Sequence, residues 1–475
     1  MAVSSQCYLA GEWQAPHSSL EIDLCDASTG VAFAKGAASS PEQIETAIDA
    51  AYQCFESGAW SELSPTQRAD YLDKVALALH DQVEAIADAD AMQTGVIIGL
   101  TQLFAKVCGA AFSEAAAMLR NLPSEYSFLE NNHTVLKQRL PLGVAGIIAP
   151  WNAPSGIACH KLACALAAGC TVVYKPSEWA ALSSHYIAKA IDAAGLPKGA
   201  FNMVLGDGAC GAQVVSDPRV AAVSFTGGAK GGEAVGRACG EQIKPVQLEL
   251  GGNNPMVILD SADIDEAADA VVAGLVTMNA QWCRALGRLV VANSVKTPLL
   301  SAIKSRLQHI KVGDARDPES KMGAMVHKGH YELVKSQIEA YRELGGSVLQ
   351  VTQVPESEGY YLPPTLIDGL EGRQTLEEIF GPVATVHGFD ELDEAVMLAN
   401  QTPYGLAAYV YGESEQAWQV AAKIRSGVVK INQISIFNFS PKLPRPAWGK
   451  SGLGDEGGKE TFEFFRGYRV IGERA

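Results

Sequence analysis

Hydrophobic positions in the first hundred residues recur with the period of an α-helix. Apolar residues between 44 and 55 are spaced three or four apart and follow Ser-Pro-Glu-Gln at 40–43. This tetrapeptide combines a capping hydroxyl, a proline at the first helical position and a glutamine that can complete a capping box. Ser-Pro-Thr-Gln at 64–67 repeats the signal before a second helical pattern, which we expect to end at Gly95.

From Gly143 onwards, short β-rich runs alternate with amphipathic helical patterns. Such alternation is typical of parallel sheets joined by crossover helices. We therefore predict an α/β fold with two domains, whose cleft is the default ligand site. The runs of the first series are GVAGIIA, TVVYK, FNMVL, VAAVSFTG, VQLEL and PMVIL, and those of the second are RLVVA, GSVLQV, TVHGF, GLAAYVYG and VVKIN.

Two further β-rich segments lie outside these series. HTVLKQRLPLG interrupts the first domain and is either a protruding arm or an ordinary edge hairpin. TFEFFRGYRVI, near the end of the chain, has the same β-rich and aromatic texture. It is a candidate partner for the first segment, either within the chain or across a subunit boundary.

Composition limits the classes of protein to which the chain can belong. It has 475 residues, of which 48% are hydrophobic and 19% charged, as in globular proteins of two or three domains. The net charge of −16 argues against nucleic acid or an anionic membrane surface as a partner. The sequence shows no pattern of a secretory signal or a transmembrane run, so we expect a cytoplasmic protein. Because the ten cysteines lack metal-binding spacing, we expect no metal site.

Two segments carry polar side chains directly after predicted strands. In APWNAP, two prolines hold Asn152 at the end of a strand, where an amide can donate to a developing oxyanion; a turn-forming asparagine is the alternative. In VVYKPSE, Lys175 can reach a ribose hydroxyl or a phosphate, and Glu178 can bind the two ribose hydroxyls of adenosine. A carboxylate there repels a 2′-phosphate and favours NAD over NADP, unless the two residues are only a solvated pair.

Three other segments have candidate roles in binding or chemistry. SFTGGAKGG runs from a strand through glycines into a helix, which suits a pyrophosphate, although glycine turns are common. QLELGGNNP ends an apolar strand with Glu249, and a buried carboxylate is costly unless it is paired, protonated or functional. NAQWCRA contains Cys283, which is either a buried small hydrophobe or a nucleophile.

Taken together and in this order, the five segments resemble the aldehyde dehydrogenase superfamily. EEIFGPV, GLAAYVYG and WGKSGLGDEGG extend the resemblance over essentially the whole chain. It implies an assembly that is a homodimer or a homotetramer. The implied domains are a Rossmann-type cofactor domain (residues 1–122 and 142–251), an α/β catalytic domain (252–440) and a small β oligomerisation arm (123–141 and 459–475).

By the same resemblance, Cys283 is the nucleophile that attacks the aldehyde carbon. Asn152 and the backbone N–H of Cys283 hold the oxyanion, and Glu249 activates the water that hydrolyses the thioester. Glu249 favours hydrolysis over transfer to coenzyme A. The presence of Asn152, Glu249 and Cys283 together argues against a catalytically silent binding protein on the same fold. The matching cofactor residues are Trp151, Lys175, Glu178, Gly227, Glu378 and Phe380, with Glu456 behind the site as a proton relay.

The sequence departs from the family pattern at four positions near the site, one of which is Asp455, in place of the arginine of the family's GxGRE motif. Ala280, Gly228 and Asn253 stand where the family usually has glycine, serine and lysine. None of these departures removes a predicted catalytic group. Gly228 lacks a hydroxyl that would contact the pyrophosphate, so we expect the main effect on cofactor binding.

The positions that match the family's substrate tunnel are mostly small here. FSEAAAMLRNLP together with APWNAP is also similar to the branch that oxidises vanillin- and salicylaldehyde-type compounds. We therefore predict an aromatic or otherwise bulky aldehyde as the substrate. The alternative is a carboxylated semialdehyde held by Arg284, Lys442 and Arg445. The predicted substrate residues are Ala153, His160, Trp282, Arg284 and Ala447.

Overall fold

The computed structural model describes residues 6–437, 439–440 and 442–474. None of the helices in these ranges is long and apolar enough to cross a membrane. The helices are α1 (Pro41–Glu56), α2 (Pro65–His80), α3 (Val83–Thr94), α4 (Ile98–Asn121), α5 (Pro154–Ala168), α6 (Leu182–Ala193), α7 (Gly208–Ser216), α8 (Ala229–Glu241), α9 (Ile264–Val276), α10 (Asn293–Leu307), α11 (Lys328–Glu343), α12 (Leu392–Asn400), α13 (Ser414–Ala421) and α14 (Gly458–Phe464). The strands are β1 (Cys7–Leu9), β2 (Glu12–Gln14), β3 (Ser18–Cys25), β4 (Ala32–Ala38), β5 (Glu125–Glu130), β6 (His133–Pro141), β7 (Val144–Ile148), β8 (Thr171–Lys175), β9 (Phe201–Met203), β10 (Val220–Thr226), β11 (Val246–Glu249), β12 (Asn254–Ile258), β13 (Leu286–Ala292), β14 (Ser347–Gln350), β15 (Thr365–Asp368), β16 (Val383–Phe389), β17 (Tyr404–Gly405), β18 (Ala407–Tyr411), β19 (Val428–Ile431), β20 (Arg445–Pro446), β21 (Trp448–Gly449), β22 (Gly452–Leu453), β23 (Asp455–Glu456) and β24 (Arg466–Arg474).

The first large sheet has the strand order β2-β1-β9-β8-β7-β10-β11-β22. Its central strands, β9-β8-β7-β10-β11, are all parallel. In chain order the sheet grows from β7 to β9 in one direction and then returns to place β10 beside β7. This reversal is the strand order of a Rossmann-type sheet, in which ligands bind at the carboxyl ends of the two strands that flank the switch point.

The second large sheet has the order β14-β15-β16-β13-β12-β18-β19 and is parallel except at β14. The prediction that PMVIL belongs to the first series of strands is wrong, because this segment forms β12 of the second sheet, between β13 and β18. The chain leaves the first sheet after Glu249 and passes through two glycines before β12 begins. The end of β11 therefore lies where the chain crosses from one sheet to the other.

The predicted helix starts are confirmed at both serine caps. The hydroxyls of Ser40 and Ser64 each accept a hydrogen bond from the backbone N–H of the glutamine three residues later. The side chain of that glutamine accepts from the backbone N–H of the serine, which completes a capping box at each helix. The second predicted helix is divided, because the chain turns between His80 and Val83 and the N–H of Gln82 bonds the carbonyl of Leu79. The second part ends at Gly95, with φ of 71°.

A three-stranded sheet of β5, β6 and β24 carries the predicted pairing of the two outlying segments. β24 pairs antiparallel with β6 within the same chain, from Arg466 opposite Pro141 to Arg474 opposite His133. The prediction of strand for TFEFF is wrong, because these residues lie in and just after α14. Phe462 and Phe465, three apart, are fully buried, and this spacing suits one face of a helix.

The ranges predicted for the three domains stay predictions. Residues 1–5, 438 and 475 of those ranges lie outside the described part of the chain. Within it, the two large sheets separate where the prediction puts the boundary between Gly251 and Gly252, and the three-stranded sheet lies within the ranges of the predicted arm.

Trp60 connects the helical N-terminal region to helix α5. Its side chain is fully buried, its Nε1 donates to the carbonyl of Leu166 at 3.2 Å, and its ring meets Tyr71 edge-on at 5.7 Å. Leu166 lies in α5, the helix that also carries His160 and begins just after Asn152. This packing fixes the helix on which part of the candidate site is built.

We expect Trp60→Ala to lower the free energy of unfolding by about 3–5 kcal/mol, because it leaves a large cavity in the core. Trp418→Ala is the matched control, since Trp418 is 66% exposed; it should change stability by less than about 0.5 kcal/mol. Urea unfolding followed by circular dichroism measures both. Equal effects of the two substitutions would contradict the packing described for Trp60.

Candidate active site

The loop that carries Cys283 has an unusual backbone. Met278, Asn279 and Ala280 all adopt left-handed conformations, with φ of 51°, 57° and 51°. The side chain of Asn279 fixes this turn: its Nδ2 donates to the carbonyls of Gly95 and Ala324, both at 2.8 Å, and its Oδ1 accepts from Gly323 N at 2.8 Å. The loop is therefore tied to the end of α3 and to the segment before α11.

Ala280 stands at the position where the family usually has glycine. A non-glycine residue in this conformation costs roughly 1–2 kcal/mol. The neighbouring Asn279 makes three buried hydrogen bonds, each of which contributes about 1 kcal/mol. These bonds hold a turn of three left-handed residues, so they offset part of the strain of the whole turn, including that of Ala280.

Asn152 is held directly against this loop. It lies between β7 and α5, and its Nδ2 donates to the carbonyl of Gln281 at 2.9 Å. Gln281 is fixed in turn, because its Oε1 accepts from Val326 N at 3.0 Å. An amide carries two N–H groups, and the one that is not bonded to Gln281 is the group that a substrate oxygen would need.

Glu249 and Cys283, predicted as base and nucleophile, contact each other. Glu249 is buried at the end of β11, and its carboxylate lies next to the half-buried thiol of Cys283, close enough for its charge to act on the thiol. Burial raises the pKa of Cys283 well above its ordinary range, and the negative charge of Glu249 adds to this effect. The thiol is therefore protonated at neutral pH, with a proton acceptor already in place.

The pKa of Glu249 suits proton transfer near neutrality. Burial raises it to about 7, and the negative charge of Glu456 acts in the same direction. The positive charges of Arg284, Arg445 and Lys161 oppose this rise. A carboxyl group with such a pKa can accept a proton and release it again at physiological pH.

A cleft of about 400 Å³ opens at the switch point of the first sheet. Trp151 follows β7 and Gly227 follows β10, and both line this cleft together with Lys175 and Glu178. Lys175 donates to the carbonyls of Pro176 at 2.8 Å and Gly206 at 2.6 Å, and its Nζ lies 3.5 Å from a carboxylate oxygen of Glu178. Lys175 therefore supports the carboxylate that faces the cleft.

The other two predicted cofactor residues line a smaller cavity of about 20 Å³ next to the catalytic loop. Glu378 Oε1 accepts from Gly252 N at 2.8 Å, and burial raises the pKa of Glu378 to about 7. Phe380 meets Trp151 edge-on at 5.3 Å. Since Trp151 also lines the larger cleft, the six predicted cofactor residues lie along one track that leads towards Cys283.

Sequence reasoning missed two histidines and a tryptophan beside this track. His330 lies 5.3 Å from the ring of Trp151 and bonds the carbonyl of Phe380 through Nε2 at 2.8 Å. His327 stacks on Trp179 at 3.9 Å. The only signal was the pair of histidines at the start of a helical pattern, which by itself indicates no function.

The predicted substrate residues divide into two groups. Ala153 and Trp282 belong to an apolar cluster that includes Phe104, and this cluster lies beside the catalytic loop. The rest of the cluster is Val96, Leu100, Met278, Ala280, Ala285, Ile434 and Ile436.

The other three lie outside this cluster. His160 bonds Arg445 and Thr461 instead, both at 3.3 Å. Arg284 is buried, and its positive charge lowers the pKa of Glu249. Ala447 is buried and directly follows β20 in the chain.

Comparison with known proteins identifies the family. The sequence profile of the aldehyde dehydrogenase family matches residues 13–471. The chain belongs to this family. It is therefore an oxidoreductase that acts on aldehydes, and the resemblance and the α/β fold class expected from the sequence are both confirmed.

Relatives and solved structures agree with this assignment. A Staphylococcus saprophyticus protein named "putative aldehyde dehydrogenase" is 34% identical over 465 residues, which cover 96% of each chain. One of the same name from Staphylococcus haemolyticus is 33% identical over 468 residues, 97% of each chain. Betaine aldehyde dehydrogenase from Staphylococcus aureus, solved in complex with NAD+, has a TM-score of 0.94 at 30% identity and covers 99% of this chain and 95% of its own.

The contact between the thiol and the carboxylate predicts how Cys283 reacts without substrate. Glu249→Gln removes the negative charge and lowers the pKa of the thiol, so iodoacetamide should alkylate Cys283 faster at pH 8. We expect about a threefold gain per pKa unit, because a tenfold gain in thiolate is partly offset by its lower nucleophilicity.

Mass spectrometry of the peptide that contains Cys283 measures the alkylation rate. Glu377→Gln is the matched control, since Glu377 is an exposed carboxylate in the neighbouring segment, and it should leave the rate unchanged. Slower alkylation in Glu249→Gln would mean that Glu249 accelerates thiolate formation instead of opposing it.

Proposed function

We propose that this protein oxidises an aldehyde to the carboxylic acid through Cys283, with NAD as hydride acceptor and water as acyl acceptor. The observation that carries the proposal is the contact between the Cys283 thiol and the Glu249 carboxylate beside the Asn152 amide. A nucleophile, a proton acceptor and an oxyanion donor thus meet at one point between the two large sheets.

The chain's residues support each step of this reaction. Glu249 takes the proton as the Cys283 sulfur bonds to the aldehyde carbon, and Asn152 with the backbone N–H of Cys283 stabilises the oxyanion. NAD, when bound, supplies the acceptor for the hydride that leaves the thiohemiacetal carbon. Glu249, after releasing its first proton, takes one from the water that attacks the thioester, and the acid departs as the thiol re-forms.

The cleft at the switch point fits a dinucleotide, and NAD better than NADP. Its glycine-rich turn at 227–228 starts α8, and the helix N-terminus suits a pyrophosphate. The carboxylate of Glu178 suits the two ribose hydroxyls and repels a 2′-phosphate. The NAD+ complexes of the similar Staphylococcus aureus enzyme support the same choice.

We propose hydrolysis, and not transfer to coenzyme A, because Glu249 is suited to activate water. It is buried next to the acylated position, and burial raises its pKa to about 7, so part of the population is ionised at neutral pH. A base with a pKa near the operating pH gives the most effective general-base catalysis.

An aromatic or otherwise bulky apolar aldehyde is the substrate class that the site favours. Phe104, Ile434 and Ile436 form an apolar wall beside Ala153, whose small side chain leaves room for a ring. A carboxylated semialdehyde is less favoured because Arg445 is already paired with Glu456, and Arg284 is buried.

Betaine aldehyde, which the similar solved enzyme is named for, is also less favoured. A quaternary ammonium is usually recognised by a cage of aromatic faces. The small side chains of Ala153 and Ala447 stand at two of the expected tunnel positions and supply no aromatic face there.

The assembly and the location are proposed on weaker but independent grounds. The three-stranded sheet exposes apolar side chains on β5 and β24, which suits burial in a homodimer or a homotetramer. The unpaired edges of this sheet favour the same role. A cytoplasmic location agrees with ten cysteines, none of which forms a disulfide among the described residues.

Initial rates of NADH formation test the function and the substrate class together. We expect benzaldehyde to react faster than betaine aldehyde or succinic semialdehyde, and NAD to be preferred to NADP. Cys283→Ser should abolish activity because an alkoxide is much harder to form than a thiolate. Cys25→Ser is the matched control, since Cys25 is also partly exposed, and it should keep full activity.

Two results would contradict the proposal at different levels. Faster oxidation of betaine aldehyde or succinic semialdehyde than of benzaldehyde would contradict the proposed substrate class but not the mechanism. Undiminished activity of Cys283→Ser would remove the assigned nucleophile.

A further inference from the structure

Seven polar side chains behind Glu249 form a closed ring of hydrogen bonds and ion pairs, which we call the polar ring. Lys161 joins Glu456 at 2.7 Å, and Glu456 joins Arg445 at 2.9 Å. Arg445 lies 3.3 Å from His160 Nε2, and the same nitrogen lies 3.3 Å from Thr461. The ring closes from Thr461 through Gln247 (3.2 Å) and Ser224 (2.9 Å) to Lys161 (2.7 Å).

Elements from distant parts of the chain contribute to the polar ring. Its members come from α5, β10, β11, β20, β23 and α14. Lys161, Ser224, Gln247, Glu456 and Thr461 are buried, whereas Arg445 keeps 25% of its side chain exposed. Arg445 and Glu456 are also direct cross-strand partners in β20 and β23, so their backbones hold the ion pair in register.

The charges of the polar ring do not cancel. Burial lowers the pKa of His160 to about 3, and Arg445 adds to this effect, so the imidazole is neutral and its Nε2 can accept from Arg445. Burial raises the pKa of Glu456, but Lys161 and Arg445 outweigh it and hold that pKa well below its usual range. Two cations and one anion leave an excess of one positive charge, which the neighbouring Glu249 can balance.

Arg445 is the member that the expected relay does not require. The pair of Lys161 and Glu456 is complete without it, and Arg445 contacts Glu456 from the opposite side. Because each carboxylate oxygen of Glu456 then has its own cation, the carboxylate cannot rotate or shift towards Glu249. Its position behind Glu249 is therefore set by Arg445, and the orientation of Arg445 is set by His160.

We propose that Arg445, oriented by His160, is a positioning residue for hydrolysis, which fixes the Glu456 carboxylate behind Glu249 and so sets how readily Glu249 takes a proton from water. This role rests on the proposed function. It assigns a task to Arg445 different from the binding of a substrate carboxylate, and it removes His160 from the substrate wall.

The charged groups around Glu249 determine the expected direction of change. They are Glu456, Glu378, Arg284, Arg445, Lys161 and Cys283. Arg445→Met removes one cation, while Lys161 still pairs with Glu456 and keeps it ionised. The pKa of Glu249 should then rise, and the acidic limb of the kcat profile should move to higher pH by about one unit.

The experiment compares the NADH burst with steady-state turnover over pH 5.5–9, using an aldehyde that the unaltered enzyme oxidises. In Arg445→Met the burst should keep its amplitude, because hydrolysis stays the slowest step. At pH values below the shifted acidic limb, kcat should fall about tenfold. KM should stay within about twofold, since Arg445 does not touch the substrate. Arg445→Lys keeps the positive charge, so the acidic limb of its kcat profile should return to the pH of the unaltered enzyme.

Two substitutions of His160 test the proposal even if Arg445→Met does not fold. His160→Gln retains an acceptor for Arg445, so the acidic limb of its kcat profile should stay at the pH of the unaltered enzyme. His160→Leu removes the acceptor, so its acidic limb should move to higher pH, by less than in Arg445→Met. Thermal unfolding of all variants separates these effects from a loss of stability.

Three results would overturn the proposal. One is an unshifted limb in a folded Arg445→Met variant. Another is a large rise in KM at constant kcat, which would make Arg445 a substrate-binding residue. The third is loss of the limb in His160→Gln, which would make His160 the titrating group. If the unaltered enzyme oxidises no aldehyde, the proposed function fails before Arg445 is tested.

Discussion

The burial of the Glu249 carboxylate at the end of β11 is the constraint on which the rest of the site depends. A carboxylate out of water is costly unless other groups compensate for its charge. Here it contacts the Cys283 thiol on one side and faces a polar ring with an excess positive charge on the other. The balance of these opposing influences leaves the pKa of Glu249 at about 7, where a single group can act as acceptor and then donor.

The fold delivers these groups by bringing two sheets together at one point. β11 ends the parallel part of the first sheet with Glu249, and the chain crosses at once to β12 of the second sheet. Cys283 approaches from the loop before β13, whose left-handed turn is fixed by three hydrogen bonds of Asn279. The nucleophile and the base thus come from different sheets, which makes their contact sensitive to how the sheets are packed.

Local features of the chain could be predicted from the sequence, and long-range ones could not. Strand runs, the serine caps and the ordered motifs depend on neighbouring residues, and they led to the fold class, the family and the candidate residues. The polar ring depends on contacts between residues far apart in the chain. The break between α2 and α3 and the helix α14 instead follow from a local turn and from local spacing, which the strand and helix patterns did not reveal. His160 illustrates the limit, because its position suggested the substrate wall while its partners, Arg445 and Thr461, lie about 300 residues away.

The most direct test of this account is the mass of the Cys283 peptide after rapid quenching of Glu249→Gln with aldehyde and NAD. The account predicts a burst of about one NADH per subunit, followed by a stall with an acyl group on Cys283. The thiolate that this variant favours can attack the aldehyde without a base, whereas the water that hydrolyses the thioester still needs one. A variant that turns over at the normal rate with no acyl group on Cys283 would contradict the roles of both residues.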